Sequence, residues 1–331
     1  MLNFVKYRRR YYLLSLIVIA AGIVAMVIST QTYRERSIIR LSIDFVGGAV
    51  FQVEFDPQEG VTGQAITGTE VSDVFVAAGL DDVTAQRIGV TDERWQVRAN
   101  FGDEDLRKLD DISTGLAALA AAKGYAFNDT RFRENYTEVS PIIGSEVTNA
   151  AIVATLVASL VVLMWIAFAF RTIKHAFRYG FCALIALAHD ILVILGAMSI
   201  TGLLLGWEAD ALFVTAVLTV LGYSVQDSIV VFDRIRENEQ RHKGEPFDLI
   251  VNRSVTETIQ RSLMTQIAVG FVLVALVILT RGAIQQFVGV LLVGLLSGTY
   301  SSLFTAVPLV YSWEMGEFPF IFARKRKAAL A

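Results

Sequence analysis

The stretch LGYSVQDSIVVFDRIRE, from Leu221 to Glu237, places an aspartate inside a long apolar run. The run extends over residues 211–232, which is long enough to cross a bilayer as a helix. A carboxylate is costly in lipid and usually faces a protein interior or a water-filled cavity. Asp227 therefore indicates that one side of this helix faces something other than lipid.

The rest of the chain repeats this apolar pattern. Of its 331 residues, 54% are hydrophobic and 18% are charged, which is more apolar than an average soluble domain. The runs that are long enough to span a membrane are 12–30, 148–170, 180–202, 211–232, 262–280 and 284–313. The first run has a basic start but no small-residue cleavage site after it, so we expect a retained helix. The sequence predicts a polytopic α-helical membrane protein with six transmembrane helices.

Basic residues mark one side of the predicted bundle. They precede the first helix, join the second to the third and the fourth to the fifth, and close the chain. These residues are Lys6, Arg8, Arg9, Arg10, Arg171, Lys174, Arg178, Arg234, Arg236, Arg241, Lys243, Arg324, Lys325, Arg326 and Lys327. The opposite loops, LLLGWEAD and TRGA, contain no basic residue and one basic residue. Because short cytoplasmic loops are rich in Lys and Arg, both termini are predicted to be cytoplasmic, with the protein in the inner membrane.

The long loop 33–143 then lies outside, in the periplasm, and has the pattern of a small α+β domain. AVFQVEF alternates as a strand does, and GTEVSDVFVAAG is typical of a capped helix. DVTAQRIGV and RWQVRANF predict two strands, DEDLRKLDDISTGLAALAAAKG predicts a helix, and YAFNDTRFRE predicts a last extended segment. This βαββαβ order predicts a ferredoxin-like unit. It contains no metal-ligand cluster, phosphate loop or nucleophile motif, so we expect no catalytic residue, metal or cofactor.

Four parts of the chain are predicted on this basis. Residues 1–32 form the cytoplasmic N-terminus and first helix, and residues 33–143 form the periplasmic domain. Residues 144–316 form helices two to six, and 317–331 form a basic cytoplasmic tail.

Polar residues recur at helical spacing on two of the predicted transmembrane segments. The first stripe is Asp227 with Tyr223, Ser224 and Gln226; the second is Ser254, Thr258, Arg261 and Thr265. If the two stripes face each other, Asp227 and Arg261 pair and each relieves the other's desolvation. Two simpler readings stay open: Arg261 extends to the headgroups, or the pair is static and only fixes helix packing.

The third segment carries a further ionisable pair in LAHDILV. His189 and Asp190 are adjacent, so their side chains point about 100° apart on a helix. Asp190 is a candidate for a proton pathway, and His189 is a supporting candidate. The alternative is that one of them packs or hydrogen-bonds structurally.

A buried carboxyl next to a mobile guanidinium can couple proton flow to movement. Burial disfavours the charged carboxylate, whereas a nearby cation favours it. If the distance between Asp227 and Arg261 changes between two conformations, the proton affinity changes with it. Access from opposite sides in the two states would then link proton transfer to a conformational cycle.

Three motifs resemble those of a known family. SIDFVGGAVFQVEF is similar to a D-F-x-G-G opening, with Asp44, Phe45, Gly47 and Gly48 in place. LGYSVQDSIVVFDRIRE resembles G-Y-S-x-N-D-T-V-V-x-F-D-R-I-R-E, and NRSVTETIQRSLMT resembles N-x-S-x-x-x-T-L-x-R-T. With these patterns the chain resembles the SecF family, the smaller subunits of the SecD–SecF complex of bacterial protein export, which is related to RND transporters. The departures are Gln226, Ser228, Ile259 and Ser262.

The resemblance implies a function and a set of partners. It implies that Asp227 and Arg261 belong to an ion-conducting pathway and that SecD supplies six more helices and further acidic residues. It implies work with the SecYEG translocon on a translocating polypeptide in the lipid bilayer, driven by the proton motive force, with no nucleic acid involved. The external domain would be the moving part, with Gly47 and Gly48 forming either a tight bend into a strand or a hinge.

Alternative functions remain open from the sequence. The chain could be half of an RND-type small-molecule exporter, or a passive membrane scaffold. An intramembrane aspartyl protease would use Asp190 and Asp227 as a pair sharing a proton, but YSVQD lacks the family's G-x-G-D context. Whether H⁺ or Na⁺ is the coupling ion also stays open.

Overall fold

The computed structural model describes residues 3–33, 35–58, 63–88, 93–139, 141–169 and 176–317. The basic loop residues Arg171 and Lys174, and nearly all of the predicted tail, lie outside these ranges. The helices are α1 (Arg8–Thr32), α2 (Ile43–Val46), α3 (Gly68–Ala77), α4 (Lys108–Lys123), α5 (Asp129–Glu134), α6 (Pro141–Ala169), α7 (Ala176–Leu205), α8 (Ala211–Arg241), α9 (Phe247–Leu279), α10 (Gly282–Tyr300) and α11 (Val307–Glu314). The strands are β1 (Gly48–Pro57), β2 (Asp81–Ile88), β3 (Glu93–Asn100), β4 (Tyr125–Phe127) and β5 (Tyr136–Val139).

The prediction of six membrane-spanning helices is confirmed. Within the described residues, six helical stretches are long and apolar enough to cross a membrane. They are α1, α6, α7, α8, α9, and α10 with α11 taken together. The bundle has its own hydrophobic core, separate from the core of the sheet domain, residues 48–139. We call this the external domain, after its predicted location.

Helices α8 and α9 are longer than their apolar runs. The predicted spans were 211–232 and 262–280, whereas the helices continue to Arg241 and begin at Phe247. The extensions are amphipathic, because Ile235, Val251 and Val255 are fully buried among polar neighbours. Hydropathy detects only the part of a helix that lies in the membrane, so it could not show these extensions.

The last predicted span, 284–313, is one helical rod with a local change of winding. Between α10 and α11, residues Ser301–Ala306 form a π-helical turn. Five of its six residues are buried, so the turn lies inside the bundle. Such π-turns within α-helices are rare and are frequent at functional sites.

The external domain has the predicted ferredoxin-like topology. Its antiparallel sheet has the order β2-β3-β1-β4, and β5 also pairs with β1. In the register of the central pair, Phe51 lies opposite Val97. Helices α3 and α4 cover one face, where Phe51, Phe75 and Leu116 are fully buried. Helix α3 connects β1 to β2, which lies two strand positions away in the sheet. The position between them is filled by β3, so that β1 and β3 are neighbours.

The extended segment predicted over YAFNDTRFRE was wrong beyond residue 127. The side chain of Asn128 accepts a hydrogen bond from Arg131 N at 3.0 Å and caps α5. Helix α5 buries Phe132 in the domain core. The pattern looked extended because a six-residue helix has too few turns to show helical periodicity. The strand that follows it, β5, was not predicted.

The D-F-x-G-G motif makes a tight bend into the sheet. Gly47 and Gly48 have φ values of 82° and 115°, which favour glycine. A Cβ added to Gly48 would lie 2.7 Å from Ala99 O. The backbone therefore approaches the neighbouring strand more closely than any other residue would allow.

The two ends of the bundle carry different parts of the chain. Arg8 Nη2 lies 2.6 Å from Glu317 Oε1, and Val5 N donates to Asn252 Oδ1 at 3.2 Å. The N-terminal segment and the end of the described chain therefore lie at the same end. The external sheet contacts the opposite end, where Gln86 Nε2 donates to Gly206 O at 2.7 Å.

The first turn of α3 provides a test of the external domain's acid stability. Glu70 accepts hydrogen bonds from Lys123 Nζ at 2.7 Å and Thr67 N at 2.9 Å, and Lys123 and Thr67 lower the pKa of Glu70 to about 2. A carboxyl with a lowered pKa stabilises the fold above its unfolded value, here 4.5, and this contribution is lost as the pH falls toward the folded value. Amide exchange in α3 of the full chain should therefore lose protection between about pH 5 and about pH 2.

The Glu70→Gln variant separates this effect from general acid destabilisation. We expect it to show less protection of α3 near neutral pH and little further loss on acidification, because its amide does not titrate. Glu104→Gln, at an exposed glutamate of the same domain, is the matched control. Equal pH dependence of α3 exchange in the Glu70 variant and the unchanged protein would contradict the assignment.

Candidate functional site

Asp190 is a fully buried carboxylate at the centre of the bundle. It lies on α7 with 0% of its surface exposed. Its oxygens accept hydrogen bonds from Ser224 on α8 at 2.5 Å, Ser297 on α10 at 2.6 Å and Ser301 at 2.7 Å. Charge-assisted hydrogen bonds of this kind are short and strong. Asp190 therefore joins α7, α8 and α10 through a single side chain.

Close packing of α10 on α8 makes this cluster possible. Gly294 faces Val220, and a Cβ added to that glycine would lie 2.3 Å from the valine side chain. One turn later Gly298 faces Ser224, with a corresponding distance of 3.2 Å. The two glycines form a GxxxG spacing, which allows two helix backbones to approach closely. Ser297, next to Gly298, can thus reach Asp190 across the interface.

The π-turn directs two consecutive serines toward partners on other helices. Ser301 donates to Asp190, whereas Ser302 donates to Ser224 O at 3.1 Å. Ser228 Oγ also lies 3.2 Å from Ser302 Oγ. The local unwinding thus places both hydroxyls in contact with α7 and α8, and all of these serines are buried.

His189 supports the same carboxylate. Its Nδ1 lies 3.1 Å from Asp190 Oδ1, and its ring stacks on Tyr300 with centroids 6.0 Å apart. Although the two residues are adjacent in sequence, the imidazole turns back toward the carboxylate. The structure therefore brings His189, Asp190 and Ser224 into one cluster.

Asp227 has a different environment from Asp190. It is half-buried on α8 and accepts a hydrogen bond from Gln266 Nε2 on α9 at 2.6 Å. The expected facing of α8 and α9 is present, but the partner is an amide. Among the described residues no ion pair joins Asp227 to Arg261, whose side chain is exposed. The two acids also have separate hydrogen-bond partners, which does not fit a shared-proton protease pair.

The two polar stripes divide into inward and outward members. Ser224 points inward, and Thr258 is buried with its hydroxyl donating to Ser254 O at 2.9 Å. The outward members are Tyr223, Gln226, Arg261 and Thr265, which are all exposed. We call Asp227 and these four residues the polar face.

The polar face needs a covering other than lipid. An arginine, an aspartate and an amide on the outside of membrane-spanning helices would each be costly in contact with acyl chains. Gly222, on the same side of α8, has no other atom within 4 Å of a Cβ built on it, so this surface is open in the isolated chain. Such a surface is suited to a second helical bundle or to a water-filled path.

Three residues of the site were not identified from the sequence. Ser297 and Ser301 lie four apart on an apolar segment, which is a weak signal because serine is common in membrane helices. Gln266 directly follows Thr265, so it borders the predicted stripe on α9. Its contact with Asp227 depends on the rotation of α9, which spacing alone does not give.

The family motif of the external domain lies at the outer end of α8. Asp44 Oδ2 accepts a hydrogen bond from Ala211 N at 3.0 Å, and Asp210 Oδ1 accepts one from Phe213 N at 2.8 Å. The first turn of α8 is thus capped by two carboxylates, as helix N-termini prefer. Burial raises the pKa of Asp210, and the nearby Asp44 acts in the same direction.

Two family models match this chain. A family model described as "Protein export membrane protein SecD/SecF, C-terminal" matches residues 119–316. A second, described as "SecD/SecF GG Motif", matches residues 39–59, which include the bend at Gly47 and Gly48. The chain belongs to the SecD/SecF family of protein-export membrane proteins.

Individual members of the SecD/SecF family cover the chain from end to end. "Protein translocase subunit SecF" of Thermobaculum terrenum is 40% identical over 333 residues, covering 100% of both chains. The subunit of the same name from Anaerolinea thermophila is 39% identical, again over 100% of both. "Protein translocase subunit SecDF" of Bacillus subtilis is 31% identical and covers 94% of this chain, which matches 38% of that protein.

A solved structure of the SecD/SecF family has the same fold. The crystal structure of SecDF from Thermus thermophilus, a translocon-associated membrane protein, superposes with a TM-score of 0.73 at 27% identity. The match covers 95% of this chain and 39% of that one, so this chain spans well under half the length of SecDF. These relatives support a role in Sec protein translocation as a multi-pass membrane protein associated with SecD.

The hydrogen bonds to Asp190 predict that removing a hydroxyl group that donates to this side chain destabilises the bundle more than removing one that bonds within its own helix. Ser297→Ala removes a donor to a buried carboxylate and should lower the stability of the bundle by about 1 to 3 kcal/mol. Thr299→Ala is the matched control, because among the described residues the Thr299 hydroxyl bonds only to Leu295 O, in its own helix. Thermal unfolding of the two variants in detergent measures the difference. If both variants unfold at the same temperature, Asp190 does not join the helices as described.

Proposed function

We propose that this chain, together with SecD, uses the proton motive force to promote late steps of polypeptide translocation through the SecYEG translocon. The observation that carries the proposal is a half-buried carboxylate, Asp227, on an otherwise uncovered polar face of a membrane bundle. A group in that position can exchange protons and can sense a partner that covers the face.

The polar face is half of a site in this proposal. The chain corresponds to 39% of the solved SecDF structure, which leaves room for a second bundle of similar size. Transport sites in proteins with paired bundles lie between the two halves, near the bilayer midplane. SecD is therefore the proposed covering of Asp227 and Arg261, and its own residues would complete the pathway.

The Asp227–Gln266 bond defines one state of the proposed cycle. An amide can hydrogen-bond to either a protonated or an ionised carboxyl, so it tolerates proton uptake. Arg261 lies five residues before Gln266, a rise of ~7.5 Å along α9, and its guanidinium favours only the ionised form. Movement of α9 that replaces the amide by the guanidinium would release the proton. Each charge that crosses contributes about 2.3 kcal/mol per 100 mV of membrane potential.

Asp190 acts beside this pathway in the proposal rather than as its carrier. Three hydroxyl groups donate to its side-chain oxygens, and these bonds hold the side chain in one position between the helices. One of the three is Ser224, one helical turn before Asp227. Asp190 would thus hold α8 at a fixed rotation, so that Asp227 keeps facing α9 and the polar face.

The proposed orientation puts both termini in the cytoplasm of an inner-membrane protein. Residues 33–143 then form the periplasmic part, where translocating polypeptide emerges. The distribution of Lys and Arg supports this orientation, and the opposite positions of the termini and the sheet in the bundle are consistent with it.

The direct test measures export into vesicles that contain the translocon and this chain with SecD, with and without an imposed proton gradient. Asp227→Asn and Arg261→Met should each reduce the gradient-stimulated part of export by about tenfold, equivalent to ~1.4 kcal/mol. Asp227→Asn has no carboxyl group to bind and release a proton. Arg261→Met lacks the guanidinium that favours loss of the proton from Asp227. Gradient-independent export should be unchanged.

Glu239→Gln serves as the control, because it removes an exposed carboxylate at the far end of the same helix. It should leave gradient-stimulated export intact. If either membrane variant exports normally under a gradient at equal protein level, the pathway assignment is wrong. If the unchanged complex shows no stimulation by the gradient, the passive-scaffold alternative is favoured.

A further inference from the structure

Three charged residues meet at the outer end of the bundle. Glu208, in the loop between α7 and α8, has Oε1 3.1 Å from Arg40 Nε and Oε2 2.9 Å from Arg98 Nη1. Arg40 lies in the segment between α1 and α2, and Arg98 lies on β3 of the external sheet. Their side chains are 13%, 18% and 7% exposed for Glu208, Arg40 and Arg98. We call these three residues the outer clamp.

The outer clamp joins the external sheet, the segment between α1 and α2, and the loop between α7 and α8. Burial raises the pKa of Glu208, and the Arg98 and Arg40 guanidiniums oppose that rise. Removing one partner from a buried ion pair is strongly destabilising, because the other charge stays buried without compensation. Separation of the external domain from the bundle would therefore require the clamp to open as a whole.

Backbone hydrogen bonds reinforce the outer clamp on one side. Leu41 and Ala209 form a parallel bridge, in which Ser42 N donates to Ala209 O and Ala209 N donates to Arg40 O, both at 2.8 Å. The segment that enters the external domain and the loop that enters α8 are thus paired strand-like. This pairing flanks Glu208 and limits its movement.

A chain of amides reinforces the clamp on the other side. Glu208 N donates to Gln286 Oε1 at 3.0 Å, and Gln286 Nε2 donates to Gln86 Oε1 at 3.2 Å. Gln86, on β2, donates in turn to Gly206 O at 2.7 Å. The first turns of α10 are thereby bonded both to the sheet and to the loop before α8.

The loop that holds the clamp continues directly into the helix that carries Asp227. Helix α8 begins at Ala211, where Asp44 of the external motif caps it, and runs for 31 residues without interruption. A continuous helix transmits axial displacement or rotation from one end to the other. The external domain is consequently bonded to the outer end of α8 at the clamp and at the cap.

We propose that Glu208, held between Arg40 and Arg98, is a positioning residue that makes the external domain move together with the outer end of α8. Displacement of α8 at Asp227 is then delivered to the external domain. This inference rests on the proposed function for its purpose, but the link itself is a property of this chain. Of the two readings of Gly47 and Gly48, a tight bend or a hinge, it favours the tight bend, because Gly48 lies directly against Ala99.

The first test measures whether the external domain stays fixed to the bundle. Spin labels at Asp73→Cys on α3 and Arg281→Cys at the start of α10, in a Cys182→Ala background, report the distance between the two parts in the SecD-containing complex. Both label positions are exposed. Glu208→Ala should broaden the distance distribution by about twofold or more, because the buried Arg98 loses its ion-pair partner and Arg40 keeps only the more distant Asp82, at 3.8 Å. Glu93→Ala is the control, since it breaks a 2.8 Å ion pair with Arg87 inside the external domain.

Glu208→Gln provides a second variant in case the alanine variant folds poorly. It keeps the size of the side chain and removes its charge, so we expect a smaller broadening in the same direction. An unchanged distribution in whichever of the two variants folds would overturn the proposal, as would equal broadening in Glu93→Ala.

The second test measures force transmission. Glu208→Ala should reduce gradient-stimulated export at least about fivefold and leave gradient-independent export unchanged, which a general loss of folding would not do. Leu41→Cys with Ala209→Cys, added to Glu208→Ala, places a disulfide across the backbone bridge. In a Cys182→Ala background without the label cysteines, oxidation should restore gradient-stimulated export, and reduction should abolish it again.

The two tests distinguish failure of the proposed function from failure of the clamp proposal. If the unchanged complex shows no gradient-stimulated export, the proposed function is wrong, and the distance measurement still decides the link. If the distribution broadens as expected but gradient-stimulated export is normal, the clamp does not transmit force and the proposal is overturned.

Discussion

The structure depends on the hydrogen bonds made by a fully buried carboxyl side chain, Asp190, within the membrane bundle. A carboxylate with no exposed surface would destabilise an apolar core by several kcal/mol if it had no partners. Asp190 instead accepts three serine hydrogen bonds, which arrive from α8, from α10 and from the π-turn. The glycine contacts between α10 and α8 and the unwinding at Ser301 both bring donors to that carboxylate. The rotation of α8, and with it the direction of Asp227, follows from this arrangement.

A fixed acid and an exchangeable acid therefore have different surroundings. Asp190 is enclosed, whereas Asp227 lies at the edge of the bundle with one amide partner and a polar surface beside it. In this account the first acid positions the helix and the second moves protons. In the proposed mechanism the outer clamp connects the same helix to the external domain, so that a change at Asp227 would reach that domain through α8 and the ion pairs of Glu208.

The sequence was sufficient to predict the six spans, the ferredoxin-like topology and the facing of α8 and α9. Those features depend on apolar length and periodicity, which are local properties. The exact partner of Asp227 was not predictable, because Gln266 and Arg261 point about 140° apart around α9 and only packing shows which of them faces α8. The short helix α5 was missed since it has too few turns to show a pattern, and the serines around Asp190 come from segments far apart in the chain.

The central claim is that Asp227 changes its protonation when the complex with SecD experiences a proton gradient. Infrared difference spectroscopy on reconstituted vesicles, recorded as the gradient is imposed, measures this at the carboxyl stretch, with Asp227→Asn as the reference. The account predicts a carboxyl band that changes with the gradient and is absent in Asp227→Asn. A gradient-induced spectrum that is identical in both proteins would contradict it.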